Sequence, residues 1–291
     1  MNASTVSEIR QEQGFEVYAL GNQDVEIATV PEVGAKIISL KDRRTGREWM
    51  WHPAGKLELF RNSAGDDFSI STLVGWDECL PTIAPCAWRG RALPDHGEVW
   101  AVPWRVDADA WAKGILKTSV GLAVSPFEFT RTIELRGNEL RLHYQLGNRS
   151  PEAEQFLWAM HPLLELRAGD RLELPESTRS LLRDHAWIDA VDSAVPAGGC
   201  AKIFAAPVSE GRAGVHNSNT GDRIQFEWNP AENNTLGIWL TRGGWNGHHH
   251  FALEPTNGAP DPLTEAAARN HCDMVPANGL VTWSVVIRIG A

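Results

Sequence analysis

Two segments of the sequence carry a histidine and a glutamate that could move protons. His161 lies inside the apolar run Phe156 to Leu164, and Glu254 ends an apolar run just before the turn-like Pro255 to Gly258. An imidazole in a dry cleft can act as a general acid, and a glutamate is costly to bury unless it pairs with a cation or takes part in chemistry. The structural alternatives are a core histidine with satisfied nitrogens and a glutamate in a salt bridge. The residues themselves leave both interpretations open.

A second histidine, His96, stands between Asp95 and Gly97 in the loop-like run Arg89 to Glu98. Loops carry many binding and catalytic residues, and imidazole titrates near neutral pH. His96 is therefore a candidate for contact with a ligand. A purely structural loop is the alternative interpretation.

The segment Gly75 to Pro81 brings Trp76, Asp77 and Glu78 together between turn residues. Such a cluster could bind a sugar, because carboxylates accept hydrogen bonds from hydroxyl groups and an indole packs against the C–H face of the ring. The alternative is a buried tryptophan beside solvated carboxylates, which are the commonest kind.

A histidine triplet ends the segment Trp245 to His250. In an extended strand His248 and His250 face the same side, which is compatible with a pair of metal ligands. No cysteine or carboxylate at matching spacing completes such a site, so we expect no metal and favour a polar rim or a sugar contact. The sequence also contains no glycine-rich phosphate loop, no GxSxG and no HExxH, which argues against nucleotide hydrolysis, α/β-hydrolase chemistry and zinc proteolysis.

The elements that must position these residues are strands. Apolar and polar residues alternate in VEIATV, in DRIQFEWNP and in LVTWSVVIRIG, and two alternating runs flank Gly137-Asn138, which is typical of a β-hairpin. The only good helix candidate is Pro262 to His271. No linker or composition shift divides the chain. We therefore predict an all-β fold of mostly antiparallel sheets with one short helix, as a single domain over residues 1–291 and as a large two-sheet sandwich rather than a small barrel.

Composition narrows the classes of function. The 291 residues include 27 Lys and Arg against 37 Asp and Glu, a net charge of −10, and no basic cluster, so we expect no nucleic-acid partner. No run approaches the ~18 apolar residues of a membrane helix, and the first twenty residues do not read as a secretion signal. We expect a cytoplasmic protein without membrane association, with four free cysteines. The sequence does not decide the oligomeric state, which is either a monomer or a homodimer.

Taken in order, these pieces resemble the aldose 1-epimerase, or galactose mutarotase-like, family. The resemblance covers most of the chain and rests on the order of several loose motifs: Pro31 to Leu40, His96-Gly97, LRLHYQLGN before His161, Leu253-Glu254-Pro255 and the closing PANGLVTWSVVIRIG. The chain departs from galactose-type members at Pro162-Leu163, where they carry Tyr-Phe.

The resemblance implies a β-supersandwich with a sugar in a broad cleft on one sheet face. It implies that His161 is the general acid, Glu254 the general base and His96 the second histidine near the ring oxygen. The enzyme would interconvert the α and β anomers of an aldose or a modified sugar by opening and reclosing the ring, without metal or cofactor.

The resemblance also suggests substrate contacts for Trp76 and Asp77 and a role for Arg91 as a clamp on a hydroxyl or an anion. Two alternative functions share the fold: a non-catalytic carbohydrate-binding protein, and a sugar lyase or isomerase.

Overall fold

The computed structural model describes residues 5–53, 56–70, 74–182 and 196–290. The predicted hairpin forms: Phe127–Arg136 and Glu139–Asn148 pair antiparallel along their whole length, around a two-residue turn whose Gly137 has a φ of 60°. Positive φ is the reason glycine suits this turn. Along both strands buried and exposed residues alternate, as expected for strands with one face on a core.

Strands dominate the described residues. In chain order they are β1 (Val6–Glu12), β2 (Phe15–Gly21), β3 (Val25–Val30), β4 (Lys36–Asp42), β5 (Trp76–Cys79), β6 (Cys86–Trp88), β7 (Arg91–Leu93), β8 (Arg105–Val106), β9 (Leu116–Gly121), β10 (Phe127–Arg136), β11 (Glu139–Asn148), β12 (Glu154–Phe156), β13 (Ala159–Pro162), β14 (Leu164–Glu165), β15 (Asp170–Glu173), β16 (Cys200–Ala205), β17 (Arg212–Asn217), β18 (Arg223–Trp228), β19 (Thr235–Arg242), β20 (His249–Thr256), β21 (Asp273–Val275) and β22 (Leu280–Ile289).

Two large sheets contain most of these strands. The first has ten strands in the order β1-β2-β3-β4-β5-β13-β20-β19-β16, with β14 also paired to β20. The second has eight, in the order β15-β17-β18-β22-β11-β10-β9-β8. The strand pairs β6-β7 and β12-β21 form two small separate sheets. The strands of each pair run antiparallel, as the sequence predicts.

Helices are short. The predicted helix in Pro262 to His271 forms as α3 (Leu263–Ala268), and the structure adds α1 (Ala108–Trp111), α2 (Glu176–Leu181) and a 3₁₀ turn at Phe68–Ile70. The sequence analysis missed α1 and α2 because each spans fewer than two turns and leaves no periodic apolar pattern. No helix among the described residues has the length and apolar character needed to span a membrane.

One core fills the space between the two large sheets. Inward side chains from both sheets form a single apolar cluster, in which Tyr144 of β11 and Trp283 of β22 lie 4.9 and 5.0 Å from Trp158, ring centre to ring centre. Trp158 immediately precedes β13 of the other sheet. Aromatic contacts of this kind add to the free energy gained from burial.

A charged network crosses this core. Glu78 of β5 accepts hydrogen bonds from Arg131 at 3.0 Å, from the Tyr144 hydroxyl at 3.0 Å and from the Trp158 indole at 2.9 Å. Arg131 also donates to the carbonyl of Ala35. Both charged side chains are fully buried. The network joins the two sheets, because Arg131 and Tyr144 belong to one and Glu78 to the other.

Candidate functional site

Strand alternation sends a set of polar side chains to the outer face of the ten-stranded sheet. On β13 Met160 joins the core and His161 points outward, and on β20 Leu253 joins the core and Glu254 points outward. On β16, Ile203 joins the core and its neighbour Lys202 reaches the outward Glu254. The period of two therefore gathers these three polar side chains on one face.

The register of β13 and β20 places His161 opposite Glu254. Ala159 pairs with Thr256, and two residues further along each antiparallel strand the positions are His161 and Glu254. His161 Nδ1 lies 2.7 Å from Glu254 Oε1 in a hydrogen bond. His161 is 6% exposed and Glu254 is fully buried behind it. The two residues thus form a buried imidazole–carboxylate pair.

Glu254 also pairs with a lysine that the sequence analysis missed. Lys202 Nζ lies 2.9 Å from Glu254 Oε2 and 2.9 Å from Asp261 Oδ1. Burial alone would raise the pKa of Glu254, but the charges of Lys202 and His161 lower it to about 2. Glu254 is therefore ionised at neutral pH. The two carboxylates in turn hold the pKa of Lys202 above its ordinary value, against the effect of its burial.

Backbone geometry fixes His96. Its φ is 56°, and Gly97 follows with a φ of 77° and packs so closely that an added Cβ would lie 2.1 Å from the Leu80 carbonyl oxygen. Only glycine fits there. The amide of His96 donates to the carbonyl of Ile83 at 2.7 Å. These contacts tie the His-Gly step to the segment that follows β5.

The His96 ring lies against Phe68 and near His161. It stacks on Phe68 at 3.7 Å between ring centres, and the His161 ring is 5.2 Å away. Burial lowers the pKa of His96 below its ordinary value, although Asp95, with its Oδ2 3.1 Å from His96 Nδ1, opposes the shift. His96 is therefore a neutral imidazole at neutral pH.

Both histidines line a cleft of about 380 Å³, a size suited to a small ligand. Trp239, Trp245 and Phe68 supply aromatic surface to its wall. Its charged and titratable lining residues are Asp67, Asp95, Asp261, Lys202, His96, His161 and His250. The cleft thus combines proton-exchanging groups with flat apolar surfaces, a combination that suits the two kinds of surface on a sugar ring.

His250 lines the same cleft and His248 does not. The indole of Trp239 donates to His250 Nε2 at 3.2 Å, and burial holds the pKa of His250 well below its ordinary value. His248 lines a separate cavity with Trp51, and its ring centre is 6.2 Å from that of His250. No group of three or more His, Cys, Asp or Glu side chains in the described ranges is arranged to hold a metal ion.

The structure places three further expected substrate contacts, Trp76, Asp77 and Arg91, outside the cleft. Trp76 points into the core and is fully buried, because β5 alternates. Asp77 points to the other face but forms a fully buried ion pair with Lys36. Arg91 lies outside the cleft and donates to Glu154 at 2.8 Å. The segment from Trp76 to Glu78 therefore holds the sheets together and does not line the cleft.

Several cleft residues were not predicted from the sequence, among them Asp67, Phe68, Lys202, Trp239, Trp245 and Asp261. Trp239 and Trp245 had a usable signal, since both lie in the strand-like run NTLGIWLTRGGW next to the histidine triplet. The only sequence signal for Lys202 was its position between two apolar residues of a strand-like run. Its partner Asp261 lies in a loop 59 residues away along the chain, so only the folded structure brings the two together.

Comparisons with known proteins define the fold. No family model matches the sequence, and no curated protein matches it. Solved structures do match over nearly the whole chain. The Slr1438 protein from Synechocystis sp. PCC 6803 is 16% identical over 99% of this chain and 96% of its own, with a TM-score of 0.71.

Two further matches carry informative names. The galactose mutarotase related enzyme from Lactobacillus acidophilus is 14% identical over 94% of this chain and 97% of its own, with a TM-score of 0.65. A galactose mutarotase-like protein from Clostridium acetobutylicum is 14% identical over 99% and 98%, with a TM-score of 0.66. The chain has the galactose mutarotase-like fold, and its structural neighbours include aldose 1-epimerase-like and galactose mutarotase-like proteins.

Proposed function

We propose that the protein is an aldose 1-epimerase that interconverts the anomers of a sugar by general acid–base catalysis in the cleft. The observation that carries the proposal is the pairing of His161 with the ionised Glu254, 2.7 Å apart, beside the neutral His96. Two groups held in different protonation states at one site are what ring opening requires.

His161 is the proton donor in this proposal. Because Glu254 is ionised, it accepts a hydrogen bond from Nδ1, and Nε2 remains as the atom that exchanges a proton with the ligand. With a pKa of about 2, one oxygen held by Lys202 Nζ and the other by His161 Nδ1, Glu254 is a poor proton acceptor. We therefore assign Glu254 as the residue that orients His161 and stabilises its charged form, a change from the general-base role that the family resemblance implies.

His96 is the proton acceptor. Its neutral ring takes the proton from the anomeric hydroxyl while protonated His161 gives one to the ring oxygen, and the bond between the anomeric carbon and the ring oxygen breaks. The open-chain aldehyde rotates about its first carbon–carbon bond, and the two protons return when the ring closes on the other face. The 5.2 Å between the ring centres lets both imidazoles reach oxygens on one carbon.

The test is polarimetry of freshly dissolved aldoses with and without protein, in parallel for wild type, His161→Asn and His143→Asn. We expect the wild type to accelerate relaxation to the anomeric equilibrium and His161→Asn to lose that acceleration by about 100-fold or more. His143→Asn is the matched control, because His143 is exposed on β11, away from the cleft lining, and its side chain hydrogen-bonds to Ser284. Saturable sugar binding without acceleration would replace the proposal with a carbohydrate-binding protein.

The pH dependence tests His96. Asp95 raises the pKa of His96, so Asp95→Asn lowers it further. Since the reaction needs neutral His96, the acid limb of kcat/KM is expected below pH 6.5, the ordinary value for histidine, and at still lower pH in the variant. Asp109→Asn, an exposed aspartate on α1, is the control. An acid limb that stays in place in Asp95→Asn would rule out His96 as the acceptor.

A further inference from the structure

The cleft is lined by more carboxylates than permanent cations. Its lining holds the carboxylates of Asp67, Asp95 and Asp261 and, within the described part of the chain, one permanent cation, Lys202. Lys202 lies between Asp261 and the buried Glu254, 2.9 Å from each, so two carboxylates already balance its charge. An anionic sugar would enter a cleft in which four carboxylates, counting the buried Glu254, outnumber two cations, Lys202 and the protonated His161.

Two of these carboxylates, Asp95 and Asp67, have no Lys or Arg partner among the described residues, and each adjoins His96 or the ring stacked on it. Asp95 precedes His96 in the chain and its Oδ2 is 3.1 Å from the imidazole. Asp67 precedes Phe68, the ring that stacks on His96 at 3.7 Å. Asp67 forms no ion pair among the described residues. Its Oδ1 accepts hydrogen bonds from the amide and the hydroxyl of Ser69. Both negative groups therefore border the part of the cleft where His96 acts.

His250, a residue of the cleft wall, carries a buried hydrogen-bond donor without an acceptor in the described part of the chain. His250 is fully buried, and its Nε2 accepts the indole N–H of Trp239 at 3.2 Å. A neutral imidazole that accepts at Nε2 carries its proton on Nδ1. That Nδ1 is buried and finds no hydrogen-bond partner among the described residues.

We propose that the cleft selects 2-amino-2-deoxyaldoses, in their ammonium form, over neutral aldoses, and neutral aldoses over phosphorylated or carboxylated ones. This inference rests on the proposed function. If His96 works at the anomeric hydroxyl, the nearest substituent on the ring is the one on the adjacent carbon, C2. An ammonium group there meets the negative side of the cleft formed by Asp95 and Asp67.

The experiment measures kcat/KM for anomer exchange with 2-amino sugars, their parent sugars and their N-acetyl, 6-phosphate and uronic acid derivatives, in the gluco, galacto and manno series. We expect the amino sugar to exceed its parent by about three- to fivefold, as for one partly exposed ion pair, and the gain to vanish on N-acetylation and at high salt. The anionic derivatives are expected to fall below the parent.

Asp67→Asn should lower the ratio of kcat/KM for the amino sugar to kcat/KM for its parent, whereas Asp109→Asn, far from the cleft lining, should leave that ratio unchanged. Equal rates for amino and parent sugars, or faster exchange of the anionic ones, would overturn the inference. Ligand-observed NMR binding with the same panel separates the two proposals: the same charge ranking in binding, with no exchange of any sugar, would overturn the proposed function and leave the selectivity standing.

Discussion

Replacing Glu254 with glutamine is expected to slow anomer exchange by about 100- to 10,000-fold, with little change in KM. The carboxamide carries no charge and can donate its N–H to His161 Nδ1. Nδ1 then cannot hold a proton, so His161 loses the protonated form that the mechanism needs as its acid. Lys202 keeps its contact with Asp261, so the fold should survive. The rate is measured as kcat and KM from polarimetric progress curves.

A control variant and an NMR signal distinguish a catalytic effect of Glu254→Gln from a loss of structure. Glu128→Gln is the control, since Glu128 is half exposed on β10 and pairs only with Arg105 among the described residues. The low-field proton signal of the Nδ1–H of His161, expected in the wild type, should disappear in Glu254→Gln while the rest of the spectrum stays folded. An unchanged kcat would remove Glu254 from the mechanism.

Replacing Arg131 with methionine is expected to reduce the free energy of unfolding by about 3–5 kcal/mol. Arg131 and Glu78 are both fully buried, and without the guanidinium the Glu78 carboxylate keeps only the Tyr144 hydroxyl and the Trp158 indole as partners. The loss comes from the unpaired buried charge more than from the missing hydrogen bond. Denaturant unfolding measures it.

A second substitution identifies the cause. Adding Glu78→Gln to Arg131→Met removes the buried charge and keeps an acceptor for Tyr144 and Trp158, so part of the lost stability should return. Burial already raises the pKa of Glu78, and the loss of Arg131 raises it further. The Glu78 carboxyl of the folded single variant then binds a proton more readily than that of the unfolded chain, so the loss of stability relative to wild type should shrink as pH falls. A double variant no better than the single one would contradict this explanation.

The sequence predicted the strands well because strand alternation is a local signal. The hairpin at Gly137-Asn138 and the period-two runs in β10, β11 and β22 could be recognised directly, since their inner faces are apolar and their outer faces polar. The positions of His161 and Glu254 at the middle of the ten-stranded sheet follow from the same pattern only when the strand order is known.

For the segment Trp76 to Glu78, prediction from neighbouring residues in the sequence gave the wrong environment. Two neighbouring acids beside a tryptophan predicted a polar surface, but β5 lies in the interior of its sheet and both of its faces are covered. Each acid is then buried with its own cation, Asp77 with Lys36 and Glu78 with Arg131. Those cations come from 41 and 53 residues away along the chain, a distance at which sequence spacing gives no information.

Lys202 and Asp261 explain why the role of Glu254 could not be predicted. A glutamate at the end of an apolar strand is compatible with a salt bridge or with catalysis, and the sequence left both open. The fold supplies a cation on one carboxylate oxygen and an imidazole on the other. Glu254 therefore takes both roles in our proposal. The salt bridge keeps Glu254 ionised, and the ionised carboxylate orients His161.

The measurement that tests the central claim most directly is two-dimensional exchange NMR on sugars already at anomeric equilibrium, with the protein at a small fraction of the sugar concentration. Because no net reaction occurs, cross-peaks between the α and β signals report catalysed interconversion alone. We predict cross-peaks whose build-up rate scales with protein concentration. Binding shifts or broadening of the sugar signals without any cross-peak would contradict the account and identify a carbohydrate-binding protein.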